Sequence, residues 1–269
     1  MREWAQAYLC FCLQIKNKEG KPKIGAVLKM SGHSKFHNIK KTKDKADAAR
    51  AKIFTKIGRE IAVAVKMGGP DPSTNSKLAD IISKAKSNNM PNDNIQRSIK
   101  KASGETNMVD YVDMVYEGYG PAGVAVIVEC LTDNKNRTAG DVRHFFDKSG
   151  GSLGTTGSVS FMFSRKGVII IEKQAGLEED KVFEIAIESG ADDVVTEDDC
   201  FTIYTPSQNL SDVQKAFIDA GIEVMHAESE MVPSNYIVPD EGQIASIEKL
   251  IDGLEELDDV QNVYHNADI

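Results

Sequence analysis

No apolar run in this chain approaches the roughly 20 residues that a bilayer-spanning helix needs, so the sequence predicts no membrane helix. Cysteine is scarce, with four residues at 10, 12, 130 and 200. Cys10 and Cys12 stand too close for an ordinary disulfide, and Cys130 and Cys200 have no companions at metal-ligand spacing. That pattern excludes a secreted disulfide framework and a zinc site, and predicts a cytoplasmic protein in a reducing compartment, with no metal. Of the five histidines, His33 and His37 are four apart but lack the acidic residue of the zinc-protease pattern, and His144, His226 and His265 have no Ser, Cys or acid at readable spacing. The acid pairs Asp192-Asp193 and Asp198-Asp199 read as solvated loop residues. These absences predict a protein that is not an enzyme and needs no cofactor or small-molecule substrate. A buried, perturbed acid or histidine in a closed pocket would argue the other way.

What the chain does have is charge, sorted along its length. Residues 1–29 carry six Lys/Arg and two Asp/Glu; residues 30–108 carry sixteen and seven, net +9; residues 109–269 carry ten and thirty-two, net −22. A basic part followed by a strongly acidic one suits a protein whose first part meets a polyanion while the rest repels it. In residues 1–29, the apolar stretch 8–15 is short, is interrupted by Gln14 and precedes no small-residue cleavage site. This segment reads as an appendage, with the natural start at Met30.

Residues 43–67 lack Pro and are rich in Ala, Lys and Arg. At about 100° per residue, Ala46, Ile53, Phe54, Ile57, Ile61, Ala64 and Val65 fall within an arc of about 120°, while Lys45, Lys52, Lys56, Arg59 and Lys66 fall in an adjacent arc of about 80°. The pattern predicts a helix with one core-facing face and one basic stripe, ended by Gly68-Gly69-Pro70. Helices over about 76–88 and after Pro91 complete a small bundle. Beyond residue 109, strands are expected at 111–117, 123–131, 159–163, 167–171, 192–195, 201–205, 223–232 and 259–264. Helices are expected at 137–149, 178–189, 210–220 and 243–254. Ser149-Gly150, Ser189-Gly190 and Ala220-Gly221 repeat as helix ends. The order predicts an α+β fold: an N-terminal three-helix bundle at 30–108, then two ferredoxin-like split β-α-β domains, the third domain (163–232) inserted in the second (109–162 plus 233–269).

Two Gly-rich stretches invite a phosphate reading. Gly118-Tyr119-Gly120-Pro121-Ala122-Gly123 spells G-x-G-x-x-G, but a strand rather than a helix follows, which predicts a tight turn between strands. Residues 150–158 lack the Lys-Ser/Thr end of a P-loop, which leaves a surface loop or an RNA-contacting loop. The remaining candidate is residues 32–43, where Lys35, Lys40, Lys41 and Lys43 supply charge, Phe36 and His37 supply stacking rings, and Asn38 is a small polar donor.

Ser31-Gly32-His33-Ser34-Lys35, Asn38-Ile39-Lys40, Ala51-Lys52-Ile53-Phe54-Thr55-Lys56 and Arg59-Glu60-Ile61 resemble the opening of the YebC (PmpR) family, which includes the mitochondrial translational activator of cytochrome oxidase subunit one. Gly68-Gly69-Pro70-Asp71-Pro72, Asn89-Met90-Pro91-Asn92-Asp93-Asn94-Ile95, Tyr116-Glu117-Gly118-Tyr119-Gly120-Pro121-Ala122-Gly123 and Asp133-Asn134-Lys135-Asn136-Arg137-Thr138 continue the match, as does the 150–158 loop. Phe36 stands where the family usually shows Trp. The resemblance covers residues 30 to about 265. It implies three domains and one of two roles: a DNA-binding transcriptional regulator, or a factor that binds ribosomal RNA and relieves ribosomes stalled at difficult sequences such as proline runs. In either role, Lys45, Lys52, Lys56, Arg59 and Lys66 are expected to contact phosphates, and Lys35, Phe36, His37, Asn38, Lys40, Lys41 and Lys43 to reach a groove or a folded RNA. The stripe has few side chains able to pair with base edges, which suits recognition of backbone or shape.

Overall fold

The computed structural model describes residues 47–104, 110–174 and 177–269. All of them lie within one compact unit, Ser31–Ile269. The predicted site residues 35–45 and the appendage 1–29 lie outside the described residues.

The apolar stripe of α1 (Asp47–Gly68) buries Ile57, Ile61, Ala64 and Val65 and half-buries Ile53 and Phe54. At its end Gly69 takes the left-handed conformation (φ 86°). Asn75 then fastens the corner. Its buried Nδ2 donates to the carbonyls of Ala64 and Gly69, both at 2.8 Å, and its Oδ1 accepts from the Leu78 amide at 3.1 Å, capping α2 (Ser76–Ser87). Gly68 leaves room for this clasp, since a Cβ there would stand 2.7 Å from the Asn75 side chain. A left-handed Asn89 (φ 56°) ends α2, and α3 (Asn92–Gly104) follows Pro91. Leu78, Ile81, Ala85, Ile95 and Ile99 close the bundle core against α1. Each large side chain so buried contributes roughly 1.5–3 kcal/mol.

Two four-stranded antiparallel sheets follow. The first has the order β3-β1-β2-β8, built from β1 (Val112–Tyr119), β2 (Ala125–Thr132), β3 (Ser152–Leu153) and β8 (Val260–His265). On one face α4 (Lys135–Lys148) and α7 (Glu241–Glu255) cover it, where Val126, Val128, Val142, Phe146, Ile247, Leu250 and Leu254 interlock. On its other face Ala125 and Ile127 meet Val159, Phe163 and Tyr264, so β2 is buried on both sides and reads as a nearly continuous apolar run. The second sheet has the order β5-β6-β4-β7, built from β4 (Phe163–Glu172), β5 (Asp193–Thr196), β6 (Cys200–Pro206) and β7 (His226–Pro233). Here α5 (Glu179–Ser189) and α6 (Leu210–Asp219) pack Val182, Ala186, Val213 and Phe217 on Ile169, Ile171, Phe201 and Ile203. The repeated helix ends are left-handed: φ is 79° at Gly150, 86° at Gly190 and 76° at Gly221. No helix among the described residues is long and apolar enough to cross a membrane.

Two sequence expectations need correction. Residues 159–163 and 167–171 are not two strands. A 3-10 turn at Ser160–Met162 leads into the single strand β4. The amides of Val159 and Ser160 donate to the Glu117 carboxylate, so they cannot join a ladder. Within the expected 150–158 loop, β3 pairs with Gly118 and Tyr119 of β1. Glycine permits that approach: a Cβ on Gly118 would sit 2.6 Å from the Ser152 carbonyl oxygen.

Candidate nucleic-acid interface

The Gly-rich stretches resolve first. Residues 120–124 form the turn of the β1–β2 hairpin, closed by the Gly120 amide donating to the Val124 carbonyl at 2.7 Å, with Ala122 and Gly123 at positive φ. In the second stretch the amides of Gly157, Val159 and Ser160 converge on an anion, but that anion is internal. They donate to Glu117 at 2.8, 2.9 and 2.8 Å. Burial raises the Glu117 carboxyl's pKa, and these hydrogen bonds outweigh it, so the group titrates below its ordinary value. The three amides are therefore occupied and hold no external phosphate in this arrangement.

The basic stripe of α1 is formed, and three of its members face one target. Spacings of four and three residues bring Lys52, Lys56 and Arg59 over the last turn of α7 and the segment leading into β8. Lys52 Nζ donates to the Glu256 carbonyl at 3.2 Å, Lys56 Nζ to the Glu255 carbonyl at 3.1 Å, and Arg59 Nη1 to the Asp258 carbonyl at 2.6 Å. The carbonyls of Glu255 and Glu256 end a helix, where acceptors lack intrahelical partners and the dipole is negative, while that of Asp258 lies in the turn beyond it. Arg59 also pairs with Asp259 at 2.7 Å, the two side chains being 17% and 9% exposed, and its guanidinium lies 5.7 Å from the Tyr111 ring centre. Asp259 is a hub. Its Oδ2 accepts from Arg137 at 2.8 Å, Thr138 at 2.8 Å and Thr132 at 3.2 Å. Burial raises its pKa, and the bonds from Arg137, Thr138 and Arg59 bring it below the ordinary carboxylate value. Burial lowers the Lys56 pKa, and Lys52 and Lys84 push the same way against Glu255 and Asp258.

Lys66 stands apart from this group and pairs with Asp110. Lys84 of α2 bonds Glu60 at 3.2 Å and reaches Glu228 of β7 at 3.8 Å. The stripe is thus a docking surface for the acidic part of the chain, and reversing its charges tests that docking as well as any ligand. Lys77, Lys86, Arg97 and Lys100, which the sequence did not single out, are exposed and make no ion pair among the described residues. They are among the sixteen basic residues of 30–108, but no stripe on α2 or α3 set them apart in the sequence.

Among the described residues no group of three His, Cys, Asp or Glu could hold a metal. Cys130 and Cys200 are buried thiols whose pKa burial pushes up to about 12, which leaves them protonated near neutral pH. His226 pairs with Glu230 at 2.6 Å.

A basic three-helix bundle docked by its cations on an acidic pair of antiparallel sheets defines an α+β protein with charge sorted between its parts. Two family profiles match it: the TACO1/YebC protein N-terminal domain over residues 34–105, and the TACO1/YebC second and third domain over residues 111–267. The chain belongs to the TACO1/YebC family. A probable transcriptional regulatory protein of Clostridium botulinum (strain Okra / Type B1) is 56% identical over 239 residues, covering 89% of this chain and 97% of the relative. One of the same description from Acetivibrio thermocellus is 58% identical over 238 residues, covering 88% and 98%. The crystal structure of a conserved hypothetical protein from Aquifex aeolicus superposes with a TM-score of 0.74 at 43% identity, covering 83% of this chain and 92% of that one.

Proposed function

We propose that this protein is a non-catalytic, cytoplasmic, nucleic-acid-binding regulator of gene expression that acts on transcription and needs no metal or cofactor. The observation that carries the reading is similarity, over 88–89% of the chain, to relatives described as probable transcriptional regulatory proteins. The charge distribution supports it, because residues 30–108 carry net +9 and residues 109–269 net −22. We read residues 109–162 with 233–269 as one α+β domain and 163–232 as a second inserted into it. In support, the first sheet draws strands from both flanking segments and the strands of the second fall between them. The bundle binds through phosphates rather than base edges, because among the described residues its free cations are Lys77, Lys86, Arg97 and Lys100 and such side chains act mainly by charge.

The test is anisotropy with labelled duplex DNA at several salt concentrations, alongside sedimentation with ribosomes in excess competing DNA. The reading expects DNA binding that weakens about tenfold or more in the Lys77→Glu/Lys86→Glu/Arg97→Glu/Lys100→Glu variant at unchanged melting temperature. Unchanged DNA binding by that variant removes the interface. Ribosome sedimentation that survives the DNA overturns the transcriptional role in favour of action on folded ribosomal RNA.

A further inference from the structure

We propose that residues 255–259 act as an internal pseudo-ligand that holds the basic stripe of α1 closed until a nucleic acid displaces it. This rests on the polyanion-binding reading given above. The segment Glu255-Glu256-Leu257-Asp258-Asp259 combines what a phosphate backbone offers a cationic helix. It has carbonyl acceptors at a helix C-terminus, three exposed carboxylates, and one buried carboxylate at 2.7 Å from Arg59. Lys52, Lys56 and Arg59 meet it in register, one cation to each of the carbonyls of residues 256, 255 and 258. A duplex or folded RNA approaching α1 along this stripe meets cations that already have partners.

The contact is built to open. Among the described residues the bundle core draws its side chains from residues 53–102, and the clusters of the two sheets begin at Met114. Among the described residues no hydrophobic cluster joins the bundle to the sheets. The contacts between them, among the described residues, include the three stripe contacts, the Arg59 guanidinium over the Tyr111 ring, Lys66 with Asp110, and Lys84 with Glu228. Junctions of this kind allow the parts to move, and exposed ion pairs are individually weak and salt-sensitive. Arg59 with Asp259 is the least exposed of these ion pairs and forms the centre of the latch. Asp259 keeps Arg137, Thr132 and Thr138 when Arg59 leaves, so opening does not strand a buried carboxylate. A latch of this kind lowers apparent affinity by the fraction of molecules that are open, and a competing polyanion shifts that fraction.

The experiment uses the full chain and two readouts. A zero-length carbodiimide couples an amine to a carboxylate that reaches it, so the free protein, which holds the Lys52 and Lys56 amines on the carbonyls of residues 256 and 255, should yield peptides joining Lys52 or Lys56 to the neighbouring carboxylates of Glu255, Glu256 or Asp258. In parallel, anisotropy with a labelled duplex DNA compares the wild type, Asp259→Asn, and the variant Glu255→Gln/Glu256→Gln/Asp258→Asn, whose altered side chains are exposed and lie outside the Asp259 hub. The latch expects the cross-links to vanish at saturating DNA and both variants to bind DNA about fivefold or more tightly than the wild type. Binding by the variants but not by the wild type supports it equally. Cross-links that persist at saturating DNA, with unchanged affinity in both variants, overturn the latch and leave DNA binding standing. Absence of DNA binding in all three proteins overturns the proposed function, and the latch with it.

Discussion

Glu117→Gln tests how the 154–160 segment is held. The carboxylate accepts one amide on Oε1, from Gly157, and two on Oε2, from Val159 and Ser160. A glutamine amide has one acceptor oxygen and one donor nitrogen. Its better orientation puts the oxygen towards Val159 and Ser160 and turns an N–H group on the Gly157 amide, leaving one donor facing another. An unsatisfied donor costs about 1–3 kcal/mol. The two surviving bonds change from charge-assisted to neutral and lose roughly half their strength, about 0.5–1 kcal/mol each. The total is about 3 kcal/mol, which for a protein of this size lowers the melting temperature by about 6–12 °C. Differential scanning calorimetry measures it, and amide exchange at Gly157, Val159 and Ser160 localises it. Glu117→Ala, which leaves all three donors free, should cost at least as much. A loss under about 0.5 kcal/mol for Glu117→Gln, with exchange at those amides unchanged, would refute the claim that the carboxylate organises this segment.

Other outcomes follow from the same kind of count. Asn75→Ala removes an N-cap and two bonds to the carbonyls of Ala64 and Gly69, and should cost about 2–3 kcal/mol, read as faster amide exchange in α1 and α2 than in the sheets. Gly118→Ala drives a methyl to 2.6 Å from the Ser152 carbonyl oxygen and 2.7 Å from Phe146, and should destabilise the protein by about 2 kcal/mol in urea unfolding, where no loss would show that β3 is not tightly paired. Glu117 and Asp259 both titrate below their ordinary values when folded, so the stability they contribute is complete above the ordinary carboxylate range and is lost as pH falls through their lowered values. Urea midpoints measured down from neutral pH should decline through the acid range, with a shallower decline in Glu117→Gln.

Much of the fold was legible because it rests on local rules. The helical period separated Ile57, Ile61 and Ala64 from Lys52, Lys56 and Arg59 within one segment, and the glycines at 150, 190 and 221 marked helix ends that are left-handed in the structure. The partners of the stripe were not legible. They are backbone carbonyls of residues 255, 256 and 258, about two hundred positions away, and a carbonyl has no letter in the sequence. Asp259 was one acid among many in the acidic part, and only the fold makes it the hub that gathers Arg59, Arg137, Thr132 and Thr138. Glu117 was hidden for a related reason. A carboxylate inside a β-strand looks like a solvent-facing residue until a Gly-rich loop some forty residues later folds its amides over it.

A chain whose parts carry net +9 and −22 offers its basic part a polyanion before any ligand arrives, at the high effective concentration of an intramolecular partner. This changes how salt dependence should be read. A free cation that binds a phosphate releases a counterion from the nucleic acid and contributes about 0.9 to the slope of log affinity against log salt. A stripe cation in the closed protein contributes little, because moving it away from the acidic segment draws counterions back to the exposed carboxylates of Glu255, Glu256 and Asp258 beside it. Lys52, Lys56 and Arg59 together should therefore be nearly silent in the wild type and contribute about 2.7 to the slope once the latch is broken. The slope for Asp259→Asn should be steeper than the wild-type slope by an amount approaching that figure. Equal slopes with unequal affinities would mean that the variant acts without freeing the stripe, and that the contact between α1 and residues 255–259 serves to hold the fold together rather than to compete for the ligand.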